Sequence, residues 1–257
     1  MYSKACLALL LDGPMQSWGA ASRFTRRTTE LFPTKSGIIG LLAAAMGVDK
    51  YKPDEAGAIA RLAALLCSVV TLPRQLRGQP LSILRLENYH TIGAAYDEHD
   101  PWQRQMMVHT AEPKRKLRKI SGQYCPETSC RHYLLDARFG VLLKGDAVLI
   151  ERVAAALRDP TWGVWLGRKC CLPATPLLVT VAPERDECWR ALLTRAGLPA
   201  ETPLEQFDYV EDAGAEGEGD EVLNDAPIAF GAPIGQRHTP RRIRRHLRRL
   251  SHKPPAA

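Results

Sequence analysis

The order of apolar and amphipathic segments predicts an α+β fold. An apolar strand at residues 2–11 is followed by a helical segment, a β-branched strand at residues 67–72 and another strand at residues 81–89. A polar insertion at residues 91–130 then precedes a second run of strand, helix and strand. Strand, helix, strand, strand and helix is the order of a ferredoxin-like split β-α-β unit, which RRM domains share, although a fold alone assigns no function.

The first strand and the helix after it have clear boundary signals. A Gly-Pro pair at residues 13–14 ends the strand. Either Thr34 or Ser36 is suited to cap the following helix, which presents a run of apolar side chains to the core. Gly37 and Gly40 each cost the helix about 1 kcal/mol relative to alanine, so we expect another backbone to approach the helix closely there.

The remaining elements follow from apolar spacing and turn residues. We expect helices at residues 54–66, 146–158 and 188–196, strands at residues 131–144, 177–181 and 222–235, and a last helix at residues 240–250. The ferredoxin-like unit then comprises residues 1–90 plus 131–182, and residues 91–130 form an insertion. A smaller, β-containing C-terminal region comprises residues 183–257.

Composition limits the class of protein and its compartment. The chain of 257 residues is long enough to bury a sizeable core, and no apolar run is long enough to span a bilayer. The N terminus lacks the pattern of a secretory signal peptide, and the seven cysteines form no disulfide-like framework. We therefore expect a cytoplasmic protein with reduced thiols.

The net charge of +7 comes from a basic tail at residues 237–257, which contains seven Arg, one Lys and no acidic residue. An acidic, glycine-rich loop at residues 208–221 precedes the tail and is expected to be mobile. The candidate partners of the tail are RNA, DNA, an acidic neighbouring protein and the acidic loop of the same chain, and the sequence does not choose among them. Its narrow apolar stripe without aromatic residues argues against a membrane.

Three basic clusters are suited to hold a nucleic-acid backbone and to stack on a base. The first follows the first strand and combines donors, cations and one exposed-looking aromatic side chain at Gln16, Trp18, Arg23, Arg26, Arg27, Lys35 and Ser36. The second is Lys114, Arg115, Lys116, Arg118 and Lys119 in the insertion, and the third is Arg168 and Lys169 beside a glycine. Each cluster also has a simpler interpretation as a solvated surface, and Trp18 as a core residue.

Several motifs together resemble a known family. Gly13-Pro-Met-Gln-x-Trp-Gly and Phe32-Pro-Thr-Lys-Ser-Gly-Ile-Ile-Gly-Leu-Leu are similar to the N-terminal signature of CRISPR-associated protein family five, in its type I-E form. Tyr89-His90-Thr91, Arg131-His132-Tyr133-Leu134-Leu135-Asp136-Ala137 and Leu166-Gly167-Arg168-Lys169-Cys170-Cys171-Leu172-Pro173 resemble later motifs of that family, in family order. The C-terminal part resembles the family only weakly.

The resemblance implies a palm-and-thumb protein of the RAMP superfamily, with the ferredoxin-like unit as palm and residues 91–130 as thumb. Such a subunit of the antiviral, RNA-guided Cascade complex holds the 5′ handle of the CRISPR RNA and caps the backbone filament. It contacts the backbone subunit and the large subunit, and meets target DNA only within the complex. His90 and Arg131 lie in the matched motifs and are therefore expected to contact RNA as well. No cofactor is expected.

Metal binding and RNA cleavage are the chemical alternatives. Cys125, Cys130 and His132 supply three possible zinc ligands without a clear fourth, so no metal is expected. Metal-independent RNA cleavage needs a base, an acid and a cation, for which the candidates are Tyr89, His90, His132, Tyr133 and Lys35. The type I-E resemblance argues against catalysis, because a separate subunit cuts the RNA there. An unspecific binder of single-stranded RNA is a further alternative.

Overall fold

The computed structural model describes residues 4–19, 25–76, 79–92, 119–120, 123–124, 127–213, 221–231 and 235–248. The N-terminal part contains β1 (Lys4–Asp12), β2 (Met15–Gln16), β3 (Arg26–Arg27), α1 (Lys35–Ala45), α2 (Glu55–Ala63) and β4 (Leu66–Thr71). The middle contains β5 (Arg74–Leu76), β6 (Gln79–Leu81), β7 (Leu84–Ile92), β8 (Lys119–Ile120), β9 (Gln123–Tyr124), β10 (Glu127–Leu135), β11 (Arg138–Asp146) and α3 (Ala147–Arg158). The C-terminal part contains β12 (Leu178–Ala182), α4 (Arg185–Arg195), a 3-10 turn (Leu204–Gln206), β13 (Tyr209–Asp212), β14 (Glu221–Ala229) and β15 (Arg237–His246).

Seven strands form one antiparallel sheet in the order β12-β1-β11-β4-β13-β15-β14. β1 lies inside this sheet and is buried on both faces, as its apolar sequence predicts. Leu7 and Leu9 pack on the face that α1, α2 and α3 cover, whereas Cys6 and Leu10 pack on the face that α4 covers. The predicted α+β class is therefore confirmed.

Four strands of this sheet lie in an order that differs from their order along the chain. In chain order the four strands are β1, β4, β11 and β12, and in the sheet they lie as fourth, first, third and second. The helices α1 and α2 connect the first two strands, and α3 precedes the fourth strand. The C-terminal strands are not separate from this unit, because β13 pairs with β4 and extends the same sheet.

Local signals explain where α1 begins and why it contains glycines. The Thr34 hydroxyl accepts a hydrogen bond from the Gly37 amide, so the expectation of a cap at Thr34 is confirmed. The expectation that another backbone approaches the helix is wrong, since aromatic rings lie there instead. A side chain at Gly37 would meet the ring of Trp18, and the ring of Phe230 lies beside Gly40.

A second, four-stranded sheet is built around β10. β7 pairs with the whole length of β10, while β2 and β3 pair with successive stretches of its other edge. The single strand expected at residues 131–144 is in fact two strands, because Asp136 has a φ of 52° and turns the chain from β10 into β11. This turn joins the two sheets.

The C-terminal segment is a strand, so the helix expected at residues 240–250 is wrong. Ile243 points into the core from β15, and its neighbours on the same face, Arg241 and Arg245, form ion pairs. Of the apolar residues whose spacing predicted a helix, Ile243 is buried, Leu247 is 74% exposed and Leu250 lies outside the described residues. Pairing with β13 and β14 makes the segment a strand.

The acidic loop and the basic tail bind each other. Arg241 pairs with Asp212, Arg245 with Glu221 and Arg248 with Asp208. Among the candidate partners of the tail, the one that it contacts in the structure is the acidic segment of the same chain. Part of that segment is the strand β13, which corrects the expectation of mobility for these residues, while residues 214–220 lie outside the described part.

Among the described residues, no helix combines the length and the apolar character needed to cross a bilayer.

Candidate nucleic-acid interface

The short strand β3 places two exposed arginines beside β10. Arg26 lies opposite Cys130 and Arg27 lies opposite Arg131 in a parallel pairing. Alternation along the strand directs Arg26 and Arg27 to opposite faces of this edge of the sheet. Both arginine side chains are exposed, and Arg131 is half-buried between them and β7.

Arg168 joins this edge from a distant loop. Its Nη2 donates to the Arg27 carbonyl at 2.9 Å, and its Nη1 donates to the His132 carbonyl at 3.3 Å. The guanidinium carbon lies 4.8 Å from the centroid of the Tyr133 ring. The next residue, Lys169, is exposed, with its Nζ 5.7 Å from the centroid of the Trp165 ring. We call Arg26, Arg27, Arg131, Arg168 and Lys169 the basic edge.

The loop that carries Arg168 is held against the exit of the first strand. The Ser17 amide donates to the Leu166 carbonyl at 3.1 Å, and the Leu166 amide donates to the Cys171 carbonyl at 2.8 Å. Gly167 has a φ of +94°, and a Cβ built there would overlap the Ser17 carbonyl oxygen. Only glycine therefore permits the approach that places Arg168 on the basic edge.

Gly167→Ala is expected to lower the melting temperature more than Gly197→Ala does. Gly197 has a similar φ of +70° but open space around it, so its substitution should cost only the roughly 1–2 kcal/mol of left-handed backbone. The overlap with Ser17 should add about 1–3 kcal/mol at Gly167. Thermal unfolding of both variants measures the difference, and equal losses would show that the close approach is not needed.

Gln16 and Trp18 lie in the core rather than at a surface. They are 0% and 1% exposed, respectively. Gln16 donates to the carbonyls of Leu11 and Ala137, and its Oε1 accepts from the indole of Trp18 at 3.1 Å. The expectation of an exposed aromatic at Trp18 is therefore wrong. The two side chains connect the first strand to the turn between β10 and β11.

Trp18→Phe is expected to reduce the stability of the protein. The change leaves the buried Oε1 of Gln16 without the donor it has now, at a cost of about 1–3 kcal/mol. Urea unfolding measures the loss of stability. An unchanged free energy of unfolding would show that the bond between Trp18 and Gln16 does not stabilise the core.

Lys35 and Ser36 also lie away from the basic edge. The Lys35 Nζ forms an ion pair with Asp212 at 2.8 Å, and its amide donates to Asp225 at 2.8 Å. Arg241 pairs with both aspartates, at 2.5 Å and 2.6 Å. We call Lys35, Asp212, Asp225 and Arg241 the buried charge cluster. The half-buried Ser36 hydroxyl lies 3.4 Å from that of Thr34.

The remaining predicted residues lie on β7, on β8 or outside the described part. His90 is half-buried on β7 and faces Ser129 in the ladder. Lys119 begins β8. Arg23, Lys114, Arg115, Lys116 and Arg118 lie outside the described residues, as does most of the insertion at 91–130.

Two residues that were not among the predicted RNA contacts lie beside the basic edge, and the sequence named one of them, Tyr89, as a candidate for RNA cleavage. Tyr89 is 68% exposed and lies directly opposite Cys130, which in turn faces Arg26. It supplies the exposed ring that was expected at Trp18. Glu87 faces His132 and accepts a hydrogen bond from the Cys130 thiol at 2.7 Å. That bond lowers the pKa of Glu87 and raises the pKa of Cys130. The pairing of β7 with β10 places both residues beside the basic edge, and that pairing could not be read from the sequence.

The chain is an α+β protein whose four-stranded sheet has a cationic edge beside an exposed ring, groups of the kind that contact polyanions. The sequence matches the model of the family described as CRISPR-associated protein (Cas_Cas5) over residues 6–245. The chain therefore belongs to this family of CRISPR-associated proteins. The resemblance in the motifs is confirmed, and the match includes the C-terminal strands that resembled the family only weakly.

Individual relatives agree with this assignment. The CRISPR system Cascade subunit CasD of Escherichia coli K12 is 27% identical over 188 residues, which cover 71% of this chain and 74% of CasD. A solved chain of a CRISPR RNA-guided surveillance complex is 27% identical with a TM-score of 0.59, covering 93% of this chain and 88% of that one. A solved Cas protein that is 24% identical has a TM-score of 0.54 over 95% of this chain and 94% of its own, and supports the fold.

Proposed function

We propose that this chain is a non-catalytic CRISPR RNA-binding subunit of a type I-E Cascade surveillance complex. In this role it holds the 5′ handle of the guide RNA and caps the backbone filament. The observation that carries the proposal is the basic edge, on which arginines from β3, β10 and the Gly167 loop come together. Sequence similarity to a Cascade subunit supports CRISPR RNA as the nucleic acid that this edge binds.

The basic edge and Tyr89 have different tasks in this proposal. The exposed guanidinium groups of Arg26 and Arg27 neutralise phosphates, which makes binding salt-dependent. Arg168 is already bound to two backbone carbonyls, so its main task is to keep β3 against β10. The exposed Tyr89 ring offers a surface on which one base can stack, worth about 1–3 kcal/mol. Such contacts suit a single-stranded handle, whose bases are free to splay out.

The palm and thumb of the proposal correspond to two parts of the fold. The order of β12, β1, β11 and β4, with α1, α2 and α3 together on one face, supports a ferredoxin-like palm. The nine-residue ladder between β7 and β10 forms the base from which residues 91–130 extend as the thumb. The thumb would lie across the guide where the handle meets the spacer.

The absence of catalysis is part of the proposal, and the positions of the candidate catalytic groups support it. Lys35 is held in the buried charge cluster on the seven-stranded sheet, whereas His132 and Tyr133 lie on the four-stranded sheet. His132 and Tyr133 are sequence neighbours on a strand, so they point to opposite faces. Each is less than 10% exposed, at 7% and 3% respectively. Lys35, His132 and Tyr133 are therefore not arranged around one phosphate.

The partners of the proposal follow from the family. They are the backbone subunit, the large subunit and, within the assembled complex only, target DNA. The complex would act in the cytoplasm.

A binding and cleavage experiment tests the proposed function. The full chain is mixed with labelled repeat RNA, or with the same RNA carrying a scrambled handle, in the presence of a chelator. We expect about tenfold tighter binding to the natural handle and no cleavage. Equal affinity for both RNAs would instead identify an unspecific single-strand binder. Cleavage that a His90→Ala substitution abolishes would identify a ribonuclease.

A further inference from the structure

Three side chains with metal-binding atoms meet on the β7–β10 ladder, outside the buried charge cluster and on one face of the sheet. Glu87 comes from β7, and Cys130 and His132 come from β10. The carboxylate oxygen, the thiol sulfur and an imidazole nitrogen all lie within 4.8 Å of one another. The Cys130 sulfur is 2.7 Å from Glu87 Oε1, and His132 Nε2 is 3.8 Å from the same oxygen.

The imidazole of His132 supplies a second, independent observation. His132 is 7% exposed, and its Nε2 is buried without a hydrogen-bond partner among the described residues. A buried ring nitrogen normally has a partner, because an unpaired polar atom loses its hydration without compensation. This nitrogen faces the oxygen of Glu87 at a distance too long for a hydrogen bond.

We propose that Glu87, Cys130 and His132 form a binding site for a zinc-class divalent cation at the base of the insertion. Thiolate, imidazole and carboxylate are the ligands that zinc prefers. Bond lengths of about 2.0–2.3 Å in a tetrahedron place ligand atoms about 3.3–3.8 Å apart. The Glu87 oxygen lies 3.8 Å from His132 Nε2, within that range, and 2.7 Å from the Cys130 sulfur, a separation that rotation of the Glu87 side chain, 61% exposed, can widen.

The three ligands leave a fourth position for water, and the site ties the two strands together. Cys130 binds as the thiolate, so its proton is released when the metal enters. Glu87 and His132 stand directly opposite each other, so one ion would cross-link β7 and β10 next to Arg26 and Tyr89. The ion would thereby hold the strands from which the insertion extends. The sequence alone did not suggest Glu87, because strand pairing is what brings it to Cys130 and His132, and Cys125 lies outside the described residues.

Metal titration of the purified, reduced full chain tests the site. Zinc binding is measured by competition with a chromophoric chelator, and Co²⁺ is used as the spectroscopic probe. We expect one equivalent of metal and a thiolate-to-cobalt charge-transfer absorption. Glu87→Gln and Cys130→Ala should each lose that equivalent, and Cys130→Ala should also lose the absorption. Glu87→Gln is an exposed, isosteric change, so a folding defect does not obscure its result.

Cys170→Ala is the matched control, because Cys170 is an exposed thiol on the Gly167 loop. It should keep both the stoichiometry and the absorption of the unmodified chain. Absence of metal binding at micromolar zinc, or an absorption that survives Cys130→Ala, would overturn the proposal. RNA binding is measured separately, so failure of this site does not decide the proposed function.

Discussion

Replacing Arg241 by methionine is expected to lower the free energy of unfolding by about 3–5 kcal/mol, since it removes one partner of a buried ion pair. Arg241 donates from Nε and Nη2 to Asp225 at 2.6 Å and 3.0 Å, and from Nη1 to Asp212 at 2.5 Å. Asp225 is 1% exposed. Methionine keeps the apolar stem but leaves two buried carboxylates with Lys35 as their remaining cation.

The protonation of Arg241 supports the size of this effect. Burial alone would lower the pKa of the guanidinium, but the hydrogen bonds and charges of Asp225 and Asp212 outweigh burial and raise that pKa. The cation therefore stays charged at any pH at which the protein folds. The same carboxylates contribute, after burial itself, to raising the pKa of the Cys67 thiol to about 12.

Urea unfolding followed by tryptophan fluorescence measures the loss, which should appear as a lower midpoint at an unchanged slope. Arg242→Met is the matched control, because Arg242 is the next residue on β15 and is exposed on the opposite face. It should change stability by less than about 0.5 kcal/mol. Equal losses in the two variants would mean that the buried charge cluster does not hold β15 in place.

Replacing Arg26 and Arg27 together by alanine is expected to weaken binding of the handle RNA and to flatten its salt dependence. Each phosphate contact on a single strand contributes about 0.7 to the slope of log affinity against log salt concentration. Loss of two contacts should make that slope less steep by about 1.4. Stability should change little, because both side chains are exposed on a two-residue edge strand.

Binding is measured by fluorescence anisotropy over a series of salt concentrations. Arg61→Ala combined with Arg152→Ala removes the same charge from exposed positions on α2 and α3. This control should keep the slope of the unmodified chain. If the two double variants behave alike, binding depends on net charge, and the basic edge is not the RNA site.

Much of the fold could be predicted from local patterns. The apolar run of β1 predicted a buried strand, and the Thr34 hydroxyl predicted the start of α1. Each of these signals lies within a few residues of the element that it predicts. The expectations of a C-terminal helix and of a single strand at residues 131–144 failed, because those choices depend on partners far along the chain.

The candidate site was predicted less well, for a physical reason that Lys35 and Gln16 illustrate. An amide or an ammonium group can bind a phosphate at the surface or satisfy a polar atom in the core, and its sequence neighbours do not distinguish the two. Gln16 is buried because the Ala137 carbonyl meets it, and Lys35 because Asp212 meets it. Both partners lie more than a hundred residues away.

The sequence by itself determined the α+β class and the family. It predicted Arg26 and Arg27 in one basic cluster and Arg168 in another, without showing that they meet. Only the tertiary structure decided that Trp18 is buried while Tyr89 is exposed, and that the basic tail pairs with acids of its own chain. The reason is that a side chain's chemical type is local, whereas its burial and its partner depend on which distant strand is paired beside it.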